Sequence, residues 1–172
     1  MELIEGKVRL RMLRYADRQQ LAKLANNKKI WLNVRDMFPH PYTFKDAEEF
    51  IDMAKQQDPQ VTFAIEYDFK FAGAIGMVLQ RDVYRFSAEL GYWIGEPYWS
   101  KGIATMAVGL LCDYAFNNLN MEKMFAGIFQ GNEASKKVLE KCGFQLEGVA
   151  RKAVYKNNKF LDEYRYGKVR EV

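Results

Sequence analysis

Histidine, cysteine and proline are scarce in this 172-residue chain. A single histidine, His40, excludes a multi-histidine metal site and makes any histidine-based triad depend on that one residue. Two cysteines, Cys112 and Cys142, exclude a disulfide framework and a four-cysteine zinc site. No apolar stretch approaches the roughly 18 residues of a membrane span. The longest candidate, around 106–116, is interrupted by Gly109 and Asp113. The first five residues lack the basic start and apolar run of a secretory leader. With so few cysteines, that predicts a cytoplasmic protein with no membrane partner.

What is present is ordinary for a globular protein. Hydrophobic residues make up 49% and charged residues 28%. The length suits one domain, and no repeat, linker or composition break divides it, so a single domain over 1–172 is expected. The net charge is +4 and lies in the last third, where eleven Lys/Arg face seven Asp/Glu from Asn120 onward. A basic region suits a phosphorylated ligand. No nucleic-acid-binding motif accompanies it, so no nucleic-acid partner is expected.

Periodicity gives the order of elements. Val8, Leu10 and Met12 alternate with Arg9 and Arg11, as in a half-buried strand. Leu21, Leu24 and Ala25 take helical spacing, and the stretch 31–42, with Pro39 and Pro41, breaks it. Thr43 with Asp46 three residues on reads as a helix start, followed by Ala47, Phe50, Ile51 and Ala54. Strands are predicted over 61–67, 71–79 and 87–94, a helix from Ile103, and a strand over 123–128. A helix capped by Asn132 and ended by Gly143 follows, then two strands around the Asn157-Asn158 turn. The order β-α-α-β-β-β-α-β-α-β-β predicts an α/β protein on one mixed sheet.

The stretch Tyr98-Trp99-Ser100-Lys101-Gly102-Ile103-Ala104-Thr105 joins a strand to an apolar-faced helix. The first helical turn offers free N–H groups and a positive dipole end. A small, Gly-containing loop lets a pyrophosphate approach those donors. Gly102 and Ala104 give that closeness, and Lys101 adds charge. An ordinary strand-to-helix turn carries the same residues, and short Gly motifs match often, so on the loop alone the plain turn is the better reading.

The longer run Glu89-Leu-Gly-Tyr-Trp-Ile-Gly-Glu-Pro-Tyr-Trp-Ser-Lys-Gly-Ile-Ala-Thr resembles the acetyl-CoA-binding segment of the GNAT acetyltransferase superfamily. Asn132-Glu-Ala-Ser135-Lys-Lys-Val-Leu-Glu-Lys-Cys-Gly143-Phe144 resembles the same family's next segment. Pro41-Tyr42-Thr43, Leu146-Glu147-Gly148, Tyr155-Lys156-Asn157 and Asp162 resemble the ribosomal-protein N-terminal acetyltransferase (RimJ/RimL) branch. The resemblance runs from about Val8 to Val169. It implies the GNAT acyl-CoA N-acyltransferase fold: one mixed, mostly antiparallel, twisted sheet of about seven strands flanked by helices. It also implies acetyl transfer from acetyl-CoA to a primary amine, a protein N-terminus or a small molecule, with no metal. Pairing of copies through the last strands occurs in the superfamily, so a homodimer is the expected assembly. Two positions depart from the pattern. Trp99 stands where the loop usually opens with Gln or Arg, and Leu139 where many members carry a Tyr. A catalytically impaired acyl-CoA-binding protein is the alternative they leave open.

Direct transfer sets three tasks: removing a proton from the amine, stabilising charge on the thioester oxygen, and receiving the thiolate. Glu89 is the leading base, because a carboxylate in the apolar run 88–94 is costly to bury unless paired or used, and burial makes it a stronger base. An ion pair with Arg81 or Arg85 is the competing role. A backbone N–H at Tyr92, Trp93 or Ile94 is expected to receive the oxygen. The resemblance assigns Ser135 to the thiolate and Asn132 to the pantetheine arm. Acetyl-CoA is then held by Tyr92, Trp93, Ile94, Ser100, Lys101, Gly102, Ile103, Ala104, Thr105, Asn132 and Ser135. Phe38, His40 and Tyr42 are the acceptor-side candidates, with His40 an alternative base. Cys142 and Cys112 read as buried small hydrophobes rather than nucleophiles.

Overall fold

The computed structural model describes residues 2–171; Met1 and Val172 lie outside the described residues. Its strands form one sheet in the order β1-β2-β3-β4-β5-β6-β8-β7. They are β1 (Glu2–Glu5), β2 (Val8–Arg11), β3 (Thr62–Tyr67), β4 (Lys70–Leu79), β5 (Ser87–Ile94), β6 (Lys123–Phe129), β7 (Gln145–Lys156) and β8 (Lys159–Val169). The helices are α1 (Arg18–Ala25), α2 (Lys28–Trp31), α3 (Phe44–Lys55), α4 (Ile103–Asn117) and α5 (Glu133–Lys141). The mixed α/β class with a single sheet therefore holds. The sheet has eight strands because β1, absent from the sequence reading, pairs antiparallel with β2 from Glu2↔Arg11 to Glu5↔Val8.

The chain divides into two compact units, Met1–Gly76 with Tyr92–Leu110, and Met77–Gly91 with Leu111–Val172. In the first unit, β2 pairs antiparallel with β3, and β3 with β4. The β3–β4 turn puts Asp68 and Phe69 at positive φ, 50° and 63°, the pair of left-handed residues a tight hairpin requires. Thr43 starts α3 with a reciprocal capping box. Its hydroxyl accepts from the Asp46 N–H at 3.2 Å, and its own N–H donates to Asp46 Oδ2 at 2.7 Å. The Thr43 hydroxyl also donates to Asp46 Oδ2 at 2.6 Å, and this bond first, then the one from the Thr43 N–H, holds the Asp46 carboxyl below the usual carboxylate range. Leu21, Leu24, Ala47, Ile51, Ala54, Ala64, Phe71, Ala74 and Trp93 form one buried cluster. That cluster follows the helical and alternating periods of the sequence.

One alternation misleads. Arg11, expected on the wet face of β2, is buried with 5% of its surface exposed. Its two terminal nitrogens donate to both oxygens of Asp17, each at 2.8 Å, and Nε donates to Glu66 Oε2 at 2.6 Å. Asp17 also accepts from the Arg14 N–H at 2.8 Å. Asp17 and Glu66 are themselves buried. Both carboxylates favour the charged guanidinium, Asp17 most, and raise its affinity for the proton against the opposing effect of burial.

In the second unit, β5 and β6 run parallel, registering Ser87↔Lys123, Ala88↔Met124 and Glu89↔Phe125. β6 pairs antiparallel with β8 over its whole length. Asn157 and Asn158, at φ 50° and 61°, turn β7 into β8. The β7–β8 register shifts twice, between Leu146 and Gly148 and between Ala150 and Val154. Lys152 within that second break has φ 52°. Among the described residues, no helix is long and apolar enough to cross a membrane.

Candidate active site

The loop between β5 and α4 carries the sharpest local geometry. Gly95 leaves the strand, residues Glu96–Tyr98 make one 3-10 turn, and Ser100 and Gly102 both take positive φ, 60° and 74°. Such values suit glycine and strain a serine. The turn they make ends where α4 begins, with the Met106 N–H bonded to the Gly102 carbonyl at 3.2 Å. The N–H groups of Ile103, Ala104 and Thr105 precede that bond, in the first turn, where α-helical donors lack helical partners. A Cβ at Gly102 would meet no atom within 4 Å, so the space in front of the loop is open. Fifteen residues of α4 add their dipole to that end. This is the setting a pyrophosphate requires, and the residues present fit it. Lys101 is exposed, its Nζ 5.7 Å and 5.9 Å from the ring centres of Tyr98 and Tyr67.

The strand leading into the loop is held firmly. The Gly95 N–H donates to the Ala72 carbonyl of β4 at 2.8 Å. A side chain at Gly73 would collide with the Trp93 carbonyl, so β4 must be bare there for β5 to lie so close. Glu96 accepts from Asn27 Nδ2 at 2.7 Å and from Lys29 Nζ at 2.5 Å. Those bonds, Lys29 first, keep its carboxyl below the usual range. The Trp99 indole N–H donates to the Ile94 carbonyl at 2.8 Å. Sequence reasoning missed the Glu96 and Trp99 links, since partners so arranged leave no periodic signal.

The acceptor-side candidates gather in the same unit, but differ in exposure. Phe38 lies against Tyr42, ring centres 4.9 Å apart, and against Trp93 at 5.7 Å. Tyr42 is 7% exposed and belongs to the buried cluster, so it backs Phe38 rather than lining open space. Burial pushes its hydroxyl well above the ordinary tyrosine range. His40 is exposed, its ring centre 5.8 Å from that of Trp31.

The remaining candidates belong to the second unit. Glu89 is half-buried, alternating along β5 with the buried Ala88 and Leu90. It is thus less enclosed than its apolar neighbours in sequence implied, because the strand turns it to the opposite face. Asn132 caps α5, its Oδ1 accepting from the Ser135 N–H at 3.3 Å, so these two are brought together. Ser135 is half-buried and Leu139 fully buried. Cys112 is buried, which pushes its thiol up to about 12. Cys142 is half-buried, since it is the capping residue where α5 ends rather than a residue of the helix. Among the described residues, no three His, Cys, Asp or Glu side chains gather as a metal site.

Known proteins share this architecture and sequence. The RimL ribosomal L7/L12 alpha-N-protein acetyltransferase in complex with coenzyme A superimposes with a TM-score of 0.88, at 17% identity and 98% coverage of each chain. RimJ of Mycobacterium smegmatis, in complex with CoA-disulfide, gives 0.86 at 20% identity, covering 98% of this chain and 86% of that one. At these identities the likeness is one of fold. The spermidine N(1)-acetyltransferase of Escherichia coli (strain K12) is 30% identical over 92% of this chain and 83% of its own length. Residues 7–145 match the Acetyltransferase (GNAT) domain family. The chain therefore belongs to the GNAT acetyltransferase family and is an acetyl-CoA-dependent N-acetyltransferase.

Proposed function

We propose that a single GNAT domain over 1–172 acts in the cytoplasm on a primary amine, of a protein N-terminus or a small molecule. The observation that carries the site is the Ser100–Gly102 turn at positive φ, opening onto the first-turn N–H groups of α4. Ser100, Lys101, Gly102, Ile103, Ala104 and Thr105 hold the pyrophosphate of acetyl-CoA. One backbone N–H among Tyr92, Trp93 and Ile94 receives the thioester oxygen as charge develops on it. Asn132 holds the pantetheine arm while capping α5. Glu89, directly or through water, takes the amine proton, and the neutral amine attacks the acetyl carbon. As the C–S bond breaks, the Ser135 hydroxyl passes a proton to the thiolate and takes up the second proton lost by the attacking nitrogen, so that it ends as it began. No enzyme-bound acetyl group is needed. Phe38 and His40 meet the acceptor, with Tyr42 behind Phe38.

The homologous spermidine acetyltransferase makes polyamines the first acceptors to screen. The reading includes a homodimer through the β7–β8 hairpin, supported by the exposure of Leu146, Val149, Tyr155 and Phe160. Calorimetry tests the site: wild type is expected to bind acetyl-CoA, and Gly102→Trp, which strains φ and fills the open space, to lose binding with its circular dichroism intact. Wild type without binding overturns the reading. An amine screen with Glu89→Gln and Ser135→Ala then tests the proton roles.

A further inference from the structure

Trp99 occupies the place where the loop of this family usually opens with Gln or Arg, and it does something those residues need not do. Its indole N–H donates to the Ile94 carbonyl at 2.8 Å. The other polar group of that same peptide unit, the Gly95 N–H, donates to the Ala72 carbonyl at 2.8 Å. Both ends of the Ile94–Gly95 peptide are therefore taken, and the plane cannot rotate without breaking a bond. One peptide earlier, the Trp93 carbonyl lies against the bare backbone of Gly73. Trp99 itself stays 40% exposed, so filling a core does not account for a tryptophan there.

We propose that Trp99 is a positioning residue for acyl transfer. Its hydrogen bond locks the Ile94–Gly95 peptide and so fixes the aim of the N–H groups at the end of β5. This rests on the reading of Tyr92, Trp93 and Ile94 as the strand end that receives the thioester oxygen. Preorganised donors stabilise a developing oxyanion because they need no reorientation as charge builds. A loop residue thus serves the chemistry rather than the phosphates, and its loss weakens polarisation of the thioester more than it weakens binding.

Trp99→Phe keeps an aromatic ring and removes the donor. In the free protein, the Gly95 amide is expected to exchange about fivefold to tenfold faster than in wild type, the effect of one lost hydrogen bond. Calorimetry with coenzyme A is expected to give affinities within about threefold of each other, since the loop N–H donors remain. With carbonyl-labelled acetyl-CoA, the infrared stretch of the bound thioester is expected to move back toward its value in water. Unchanged Gly95 exchange, or an unchanged stretch in a variant that binds, overturns the proposal alone. A large loss of coenzyme A affinity with an unchanged stretch does the same and makes Trp99 a phosphate-loop residue. Wild type that binds no acetyl-CoA overturns the site reading and this proposal with it. Should Trp99→Phe not fold, the wild-type indole N–H decides: slow exchange supports the lock, and exchange at the rate of a free indole overturns it.

Discussion

Phe38 and Trp93 meet edge to face, ring centres 5.7 Å apart and planes at 79°. The pair joins the loop before α3 to the end of β5, so the residue proposed to meet the acceptor touches the strand proposed to carry the thioester donors. Aromatic pairs of this geometry contribute roughly 0.5–1.5 kcal/mol beyond area burial. Under the proposed role, Phe38→Ala is expected to raise the acceptor KM, because it removes apolar surface that the acceptor would bury. It should also shift the emission of Trp93, and leave the affinity for coenzyme A near wild type. An unchanged KM would remove Phe38 from the acceptor side.

Asp17→Asn is expected to destabilise the protein by about 3–5 kcal/mol, because it leaves the buried Arg11 charge half-paired. Arg11→Met with Asp17→Leu and Glu66→Met, which removes the whole network, is expected to lose much less, since no buried charge is orphaned. Urea denaturation of the two variants measures the difference. Equal losses would mean that these side chains matter only for their shape.

Glu96 ties α2 to the exit of β5, and its carboxyl sits below the ordinary range because Lys29 and Asn27 donate to its charged form. A carboxylate lowered by folding stabilises above its unfolded value, about pH 4.3 for glutamate, and that stabilisation is lost as pH falls through the lower folded value. The Asn27 side-chain amide resonances are expected to hold steady above that range and to move only below it. A midpoint at or above the free glutamate value would contradict the tie.

The two cysteines should separate by reactivity. Burial pushes the Cys112 thiol up to about 12, so near neutral pH almost none of it is thiolate. Ellman's reagent on the native protein is expected to modify the half-buried Cys142 and to reach Cys112 only on unfolding. Cys112→Ala would then leave the native titration unchanged, whereas Cys142→Ala would abolish it.

Asn132→Ala removes the cap of α5 and is expected to cost about 1 kcal/mol of stability. Under the proposed role it also raises the KM for acetyl-CoA. Asn132→Asp keeps the cap and should recover stability without restoring the KM, because it exchanges an amide N–H donor for a charge. Recovery of both by Asp would leave Asn132 as a cap alone.

Where a signal lay within a few residues, the sequence was a good guide. β5 is Ser87–Ile94 as read, because Gly95-Glu96-Pro97 cannot continue a strand. The Thr43–Asp46 box, the Asn132 cap and the Asn157-Asn158 turn are likewise contacts between near neighbours. What escaped leaves no periodic pattern. β1 is four residues long and is defined by its ladder to β2. Arg11 looked wet because its pairing with Asp17, six residues on, and with Glu66, 55 residues away, leaves no trace in the alternation of β2. Tyr42 is buried in one cluster with residues of α1 and α3, a burial that the Pro-containing stretch 31–42 does not announce. The double anchoring of the Ile94–Gly95 peptide at the entry of the loop rests on a bond that no spacing announces.

The two register breaks in β7 carry a further consequence. β7 is the outermost strand, beside β8, and an outermost strand offers a row of backbone groups to any second chain. Here the row is cut into short runs, and the exposed Arg151 and Lys152 stand inside the second break. An incoming strand would find no continuous ladder to copy and two positive charges to bury. This edge of the sheet therefore resists extension by another chain's backbone, and molecules of this protein that meet at it do so through side-chain surfaces.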